Sequence, residues 1–384
     1  MKGVTKGNIK KYALNEFLTE YKELNTDNKY RPVAVGRYGI RKRESIYSKE
    51  LAKDYSKNKL IHKGTLTVGM GSKQIDIGIL IEDEIFAVSP AYHTYEIQGI
   101  RCKYLEYCLR SKNIEMFSLY AKRGSRQGKS IDLKRWLTYK IPVYSEKDQI
   151  VIEENLNKIN YVIELRRKQI DLLDELVKAR FVEMFGDENN SKGWEIVNIE
   201  DVVNVQVGVV IKPSQYYTNR YNGIKAFRSL NIGNGYIKDD DWVYFSKEGN
   251  KKNKKSILST NDVLVVRSGA PGTACVVTSE YAGSNAIDVI IAHPDFQKVD
   301  SHYLCTYTNM PHGKSQIIEG TGGAAQQHFN VGKYNKLKLM LPPLEYQKQY
   351  VKFLEEIDKS RSRIQKSLEA SQELFDSLMQ EYFG

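Results

Sequence analysis

The chain has 384 residues, 41% of them hydrophobic and 27% charged, a composition ordinary for globular proteins and a length that calls for two or three domains. It has no uncharged apolar run of about 18 residues, and Met1-Lys2-Gly3-Val4-Thr5-Lys6 has no apolar core behind it, so a cytoplasmic protein without membrane span or secretory leader is expected. The net charge of +11 is unevenly placed, and the cysteines, Cys102, Cys108, Cys275 and Cys305, lack metal-ligand spacing and read as reduced thiols.

Residues 1–140 form a first globule holding 28 Lys and Arg against 15 Asp and Glu. Such an excess suits a polyanion-binding domain, and equally a solvated basic surface. Arginine and lysine can contact phosphates and guanine, and glutamine and asparagine can pair with adenine edges. The densest candidates are Arg37, Arg41, Lys42 and Arg43, with Tyr38 interleaved. Thr65-Leu66-Thr67-Val68 reads as a strand leading to a turn at Gly71, followed by Lys73 and Gln74. A Gly-rich loop, Arg123-Gly124-Ser125-Arg126-Gln127-Gly128-Lys129, adds Arg123, Arg126, Gln127 and Lys129, its glycines letting backbone approach DNA closely.

Residues 141–187 read as one long helix. Ile152, Leu156, Ile159, Ile163, Ile170, Leu173 and Val177 recur three or four apart for the most part, Pro142 marks the entry and Gly186 the stop. About 35 residues make a rod of roughly 50 Å, which needs a partner along its apolar stripe.

A polar linker, Asn189-Asn190-Ser191-Lys192-Gly193, opens a second globule, residues 188–340, with the strand-like Trp194, Ile196 and Val197. Residues 194–340 hold 16 Lys and Arg against 13 Asp and Glu, a weaker excess. The polyanion-contact candidates here are Lys212, Arg228, Asn231, Arg267, Ser268, Gln326, Gln327 and His328. Val263-Leu264-Val265-Val266 is the strand before a turn at Gly269, and Gly320-Thr321-Gly322-Gly323 opens a second Gly-rich loop. Lys251-Lys252-Asn253-Lys254-Lys255 reads as a solvated or phosphate-skimming loop. Residues 341–384 form a second long helix.

The two halves repeat. Ile141-Pro142-Val143-Tyr144 aligns with Leu341-Pro342-Pro343-Leu344 at an offset of 200, and after a two-residue gap the offset is 198, bringing Leu156, Ile159, Leu176, Phe185 and Gly186 onto Leu354, Ile357, Leu374, Phe383 and Gly384. Gly71 and Gly269 share the offset of 198. The shared landmarks favour two helices packed on each other over two unrelated amphipathic helices.

Catalytic signatures are missing. Pro342-Pro343 sits between Leu341 and Leu344, which cannot bond a flipped base as the loop of an adenine methyltransferase does. Gly124-Ser125-Arg126-Gln127-Gly128-Lys129-Ser130 has three residues between its glycines where a phosphate loop needs four. Pro294-Asp295 is followed by no acidic-x-Lys, and the six histidines show no metal spacing. No catalytic, cofactor or metal site is expected.

With its order of features, the chain resembles the specificity subunit of type I restriction–modification systems over essentially its full length. The carrying segments are the "IPVYSEKDQIVI" and "LPPLEYQKQYV" helix openings, the "FG" helix ends, "GWEIVNIEDVV", and in the first globule "YRPVAVGRYGI", "NKLIHKGTLTVGMGS" and "VSPAYHTYEI". The resemblance implies a pseudo-two-fold α+β protein. Two target recognition domains, mixed α/β globules at 1–140 and 188–340, would be joined by two long antiparallel coiled-coil-like helices at 141–187 and 341–384. It implies double-stranded DNA as ligand, read as a bipartite site, and two modification subunits as partners, which carry S-adenosylmethionine and the methyltransferase chemistry; restriction subunits can join them. The first globule shows no counterpart of Gly193-Trp194-Glu195, which implies different subclasses for the two domains. The competing reading is a stand-alone DNA-binding or structural protein, with a fused methyltransferase third.

Overall fold

The computed structural model describes residues 9–36, 39–46, 54–123, 129–320 and 329–384. Its two longest elements are the central helix, Glu146–Phe185, and the last helix, Leu344–Phe383, each 40 residues long and free of proline and glycine. Gly186 ends the central helix in the left-handed region at φ +88°, where a Cβ would be strained. Two compact units divide the chain: Met1–Lys168 with Gln365–Gly384, and Gln169–Ile364.

In the first unit, strand β1 (Lys10–Ala13) leads to β2 (Leu18–Glu20), followed by β3 (Val33–Gly36), β4 (Gly39–Lys42), β5 (Lys59–Ile61), β6 (Thr65–Met70), β7 (Ile75–Ile79), β8 (Phe86–Val88) and β9 (His93–Ile97). Helices α1 (Cys102–Ser111) and α2 (Asn113–Tyr120) follow. Then come a hairpin of β10 (Ala121–Arg123) and β11 (Lys129–Ile131), a short α3 (Leu133–Trp136) and β12 (Lys140–Val143). The main sheet has the antiparallel order β2-β9-β6-β7, while β12 returns to pair with β1. Leu66, Val68, Ile75, Ile77, Leu105 and Trp136 are buried with Ile152, Leu156 and Ile163 of the central helix and Tyr382 and Phe383 of the last helix. The first globule thus completes its core only with both helices. Within this unit the helix segments run antiparallel: the Tyr144 hydroxyl donates to the Tyr382 carbonyl, and the Arg166 guanidinium donates to the Ser371 hydroxyl.

The second unit repeats this frame. Strands β13 (Glu195–Asn198) and β14 (Val203–Val207) open it; β15 (Tyr217–Thr218), β16 (Gly223–Phe227), β17 (Val243–Ser246) and α4 (Lys247–Lys252) follow. Next are β18 (Val263–Val266), β19 (Ala274–Val276), β20 (Asn285–Ala286), β21 (Val289–Pro294), α5 (Ser301–Asn309), α6 (Pro311–Gly320), α7 (Val331–Asn335) and β22 (Lys338–Leu341). The sheet order is β14-β21-β18-β19, the order of the first unit, and β22 pairs with β13. The registers agree: Lys10 faces Val143 where Glu195 faces Leu341, and Val68 faces His93 where Val266 faces Val289. The unit's core gathers Phe181 and Phe185 with Tyr303, Leu304, Leu339 and Tyr350. Here too the helix segments are antiparallel, with Arg361 Nη2 2.5 Å from Asp174 Oδ1.

Two sequence readings change. Pro142 precedes the helix as read, but it lies in β12 opposite Lys11, four positions ahead of the first helical residue, Glu146. A two-stranded ladder leaves each strand one unpaired edge, which tolerates a missing N–H. The absent counterpart of the Gly-Trp-Glu opening is supplied by β1, which has β13's register with a different sequence.

Candidate nucleic-acid interface

The frame is held by repeated polar side chains that finish backbone groups. The buried Gln149 accepts from the Arg101 amide ahead of α1 at 3.1 Å and donates to the Tyr144 carbonyl at 2.9 Å. Gln347 does the same in the second unit, accepting from the Asp300 amide at 2.8 Å and donating to the Lys298 and Pro342 carbonyls. The Tyr104 hydroxyl donates to the Pro142 carbonyl as Tyr303 does to Met340. Asn113 exchanges two hydrogen bonds with the backbone of Ile75, and Asn309 with that of Ala274, pinning the edge strands β7 and β19. These groups serve the frame; outside it lie the β6–β7 and β18–β19 turns, the segment between β2 and β6, and that between β14 and β18.

In the first unit the β3–β4 hairpin lies on β7. A Cβ at Gly78 would stand 2.6 Å from the Ile40 side chain, so only glycine admits the contact. A Cβ at Gly69 would meet the Tyr92 ring at 2.3 Å, and the Tyr92 hydroxyl holds the Val35 carbonyl at 3.0 Å. The hairpin presents Arg41 and Lys42 to solvent and leaves Arg43 half-buried. Lys42 is 3.2 Å from Glu84, both exposed, and its ammonium lies 5.5 Å over Phe86. Lys73 is exposed and Gln74 half-buried in the β6–β7 turn, which the Gly71 amide closes by donating to the Gln74 carbonyl. Arg123 and Lys129 are backbone partners in the β10–β11 register, at the two ends of the Gly-rich segment in the sequence. Arg37, Arg126, Gln127, Gln326, Gln327 and His328 lie outside the described residues.

Part of the first globule's positive charge is consumed internally. The buried Glu106 carboxylate is held by Lys103 at 2.8 Å and Arg110 at 2.6 Å, and Arg101 pairs with Glu153 at 2.8 Å.

In the second unit Lys212 is exposed, with a left-handed backbone at φ +42°. Arg228 is partly buried against Asp241, whose carboxylate is 3.2 Å away and whose carbonyl accepts from the same guanidinium. Asn231 requires a correction: it is fully buried, its Oδ1 accepting from the Arg228 amide and its Nδ2 donating to the Asp240 carbonyl, so it holds a turn and offers no base-reading edge. Arg267 is 13% exposed in its side chain; Nε donates to the Phe329 carbonyl at 2.9 Å and Nη1 lies 2.6 Å from Asp288 Oδ1. Ser268 follows it, half-buried. Asp288 and the Phe329 carbonyl were missed in the sequence because only folding brings them to Arg267. Lys251 and Lys252 lie at the end of the short α4, and Lys254 and Lys255 in the turn after it.

The cysteine thiols are not poised for chemistry: burial pushes Cys108 and Cys305 up to about 12. Among the described residues no cluster of His, Cys, Asp or Glu could hold a metal ion, and no helix is long and apolar enough to cross a membrane.

This duplicated frame is the fold of type I specificity subunits. The S subunit of a type I restriction–modification system from M. genitalium superposes with a TM-score of 0.58 at 14% identity, covering 100% of this chain and 98% of its own. A chain from a study of complex assembly and conformational transition of the type I system gives 0.60 at 14% identity, covering 100% and 99%. Residues 191–372 match the family described as the type I restriction modification DNA specificity domain. The MjaVIII specificity subunit of Methanocaldococcus jannaschii is 23% identical over 246 residues, 59% of this chain and 57% of its own length. The EcoBI specificity subunit of Escherichia coli is 21% identical over 175 residues, 46% and 37%. The matches therefore span less than two thirds of these relatives. The resemblance read from the sequence holds: the chain is related to type I specificity subunits.

Proposed function

We propose that this chain is the DNA-reading specificity subunit of a type I restriction–modification complex. Residues 1–140 and 188–340 act as target recognition domains, each reading half of a bipartite site in double-stranded DNA. The helices at 141–187 and 341–384 form an antiparallel coiled-coil spacer and dock two modification subunits, which a restriction subunit can join. The chain itself is non-catalytic and binds no cofactor; S-adenosylmethionine and base flipping belong to the modification subunit, and the complex works in the cytoplasm.

The observation that carries this reading is the duplication itself. Two copies of one frame, equal in strand order and register, carry different cation-bearing segments between their second strand and the strand before the glycine turn, as two half-site readers would. Residues 21–64 fill that interval in the first copy and residues 208–262 in the second.

The test is the methylome of cells supplying the modification subunit, with and without this chain. A bipartite methylated motif is expected; an unchanged methylome with active partner subunits refutes the reading. Four residues inserted after Arg167 add roughly 6 Å of helix, and should lengthen the unread spacer by nearly two base pairs while leaving both half-sites unchanged.

A further inference from the structure

Past β14 the chain makes a tip, Gly208–Pro213, that is held from below and open above. The Gly208 amide donates to the Val289 carbonyl at 2.9 Å, the Val209 amide to Ala286 at 2.8 Å, and the Asp288 amide back to the Val209 carbonyl at 3.2 Å. The approach is so close that a Cβ at Gly208 would lie 2.5 Å from the Ala286 carbonyl oxygen. Lys212 at φ +42° and Pro213 then fix the exit. On this anchored backbone Val210 is 51% exposed and Ile211 78%. One exposed apolar side chain is unremarked on most surfaces, but two adjacent ones on a rigid loop, followed by an exposed lysine, match a contact waiting for a partner.

Asp288 ties this tip to Arg267. Its amide holds Val209, and its carboxylate, 2.6 Å from Arg267 Nη1, orients the guanidinium, whose Nε is already committed to the Phe329 carbonyl. Asp288 itself has a left-handed backbone, φ +49°, which an aspartate tolerates only at some cost. The strain is maintained at the residue that links an exposed apolar tip with a pinned arginine.

We infer that Ile211 is a base-contacting specificity residue of the second half-site and that Asp288 is a positioning residue for Arg267. Ile211 offers the apolar contact that a thymine methyl group takes in the major groove, Lys212 the adjacent phosphate contact, and Arg267 a donor for guanine through Nη2, which Phe329 and Asp288 do not engage. The Asp288 carboxylate orients Arg267, while the residue's backbone amide anchors the tip whatever side chain it carries. This assignment rests on the proposed DNA-reading function.

The experiment uses full-length chain with its modification subunit and reads the methylome of Ile211→Ala, Asp288→Asn and Asp288→Glu. Ile211→Ala should relax one position of one half-site by roughly tenfold, leaving the other half-site intact. Asp288→Asn should relax a different single position of the same half-site, that of Arg267, and Asp288→Glu should recover part of that loss, with thermal midpoints close to the parent in all three. An unchanged motif with full methylation for Ile211→Ala overturns the assignment. So does equal loss at both half-sites, or loss that tracks a fall in thermal midpoint, because either marks a structural role. A parent chain that yields no bipartite motif overturns the underlying function instead, and the assignment with it.

Discussion

The two units share a frame and differ in what fills it. Between β2 and β6 the first unit places the β3–β4 hairpin and β5, which pairs with the later β8, while between β14 and β18 the second places α4 and three strands of a four-stranded sheet ordered β15-β17-β16-β20. The frame is invariant because its parts are mutually dependent: Gln149 or Gln347 finishes a helix start, Asn113 or Asn309 pins an edge strand, and each core needs segments of both long helices. The inserted segments answer to no such common constraint. Gly78 receives Ile40 in one unit, and Lys225 sits 4.8 Å from both the Trp242 and Tyr281 rings in the other. A duplicated protein can thus hold two unlike inserted segments on the same mounting while their sequences diverge.

The largest test of that equivalence is in the cores. Phe383 packs on Tyr104 at 5.4 Å and Tyr382, whereas Phe185 packs on Tyr303 at 4.8 Å, Phe181 and Tyr350. Phe185→Ala and Phe383→Ala should each cost about 3–5 kcal/mol, with Phe185→Ala the more severe, measured by urea denaturation. A cost below about 1 kcal/mol for either would break the equivalence of the two helix ends.

The glutamine pair sharpens it. Gln149→Leu and Gln347→Leu each strand a buried amide and carbonyl, at a cost of about 1–3 kcal/mol. Gln347→Leu should be worse, since it releases three backbone partners rather than two. Equal midpoints for parent and both variants would mean that the groups find water instead.

The smallest effect separates the units by pH. Burial, aided by the nearby Lys59 ammonium and opposed by Glu20, holds His93 below its ordinary value, while the residue with its register in the second unit is Val289. With a depressed native value, the unfolded chain takes up the proton first. His93 therefore costs nothing at high pH and destabilises the fold as pH falls through the unfolded value near 6.5. His93→Gln should lose less stability than the parent between pH 8 and pH 5, and Val289→Ala should leave the slope unchanged. Parallel pH profiles for His93→Gln and the parent would remove His93 from the balance.

Much of the frame was legible. The offset of 198 is visible in Leu156 and Leu354 because both occupy a helical apolar face, and a long helix writes its periodicity over many residues. The strands Thr65–Met70 and Val263–Val266 were legible from their β-branched runs. The equivalence of β1 and β13 was not, because a two-stranded ladder is made by backbone groups and leaves the side chains Lys-Lys-Tyr-Ala and Glu-Ile-Val-Asn free to differ. The candidate contacts divide on the same line. Arg41, Lys42, Lys73 and Lys212 are exposed as surface cations should be, whereas Asn231, chosen for its base-pairing amide, is spent on a turn.

By itself, the sequence determined the repeat, the two long helices, the basic bias of the first globule and the resemblance to specificity subunits, because each is carried by residue type and spacing along the chain. Only the tertiary structure decided which helix segments complete which core, which cations pair with Glu106 and Asp288, and that Ile211 stands exposed on an anchored tip. Those are matters of contact between residues far apart in the chain, and a hydrogen bond or an ion pair exists only where folding has brought both partners within about 3 Å.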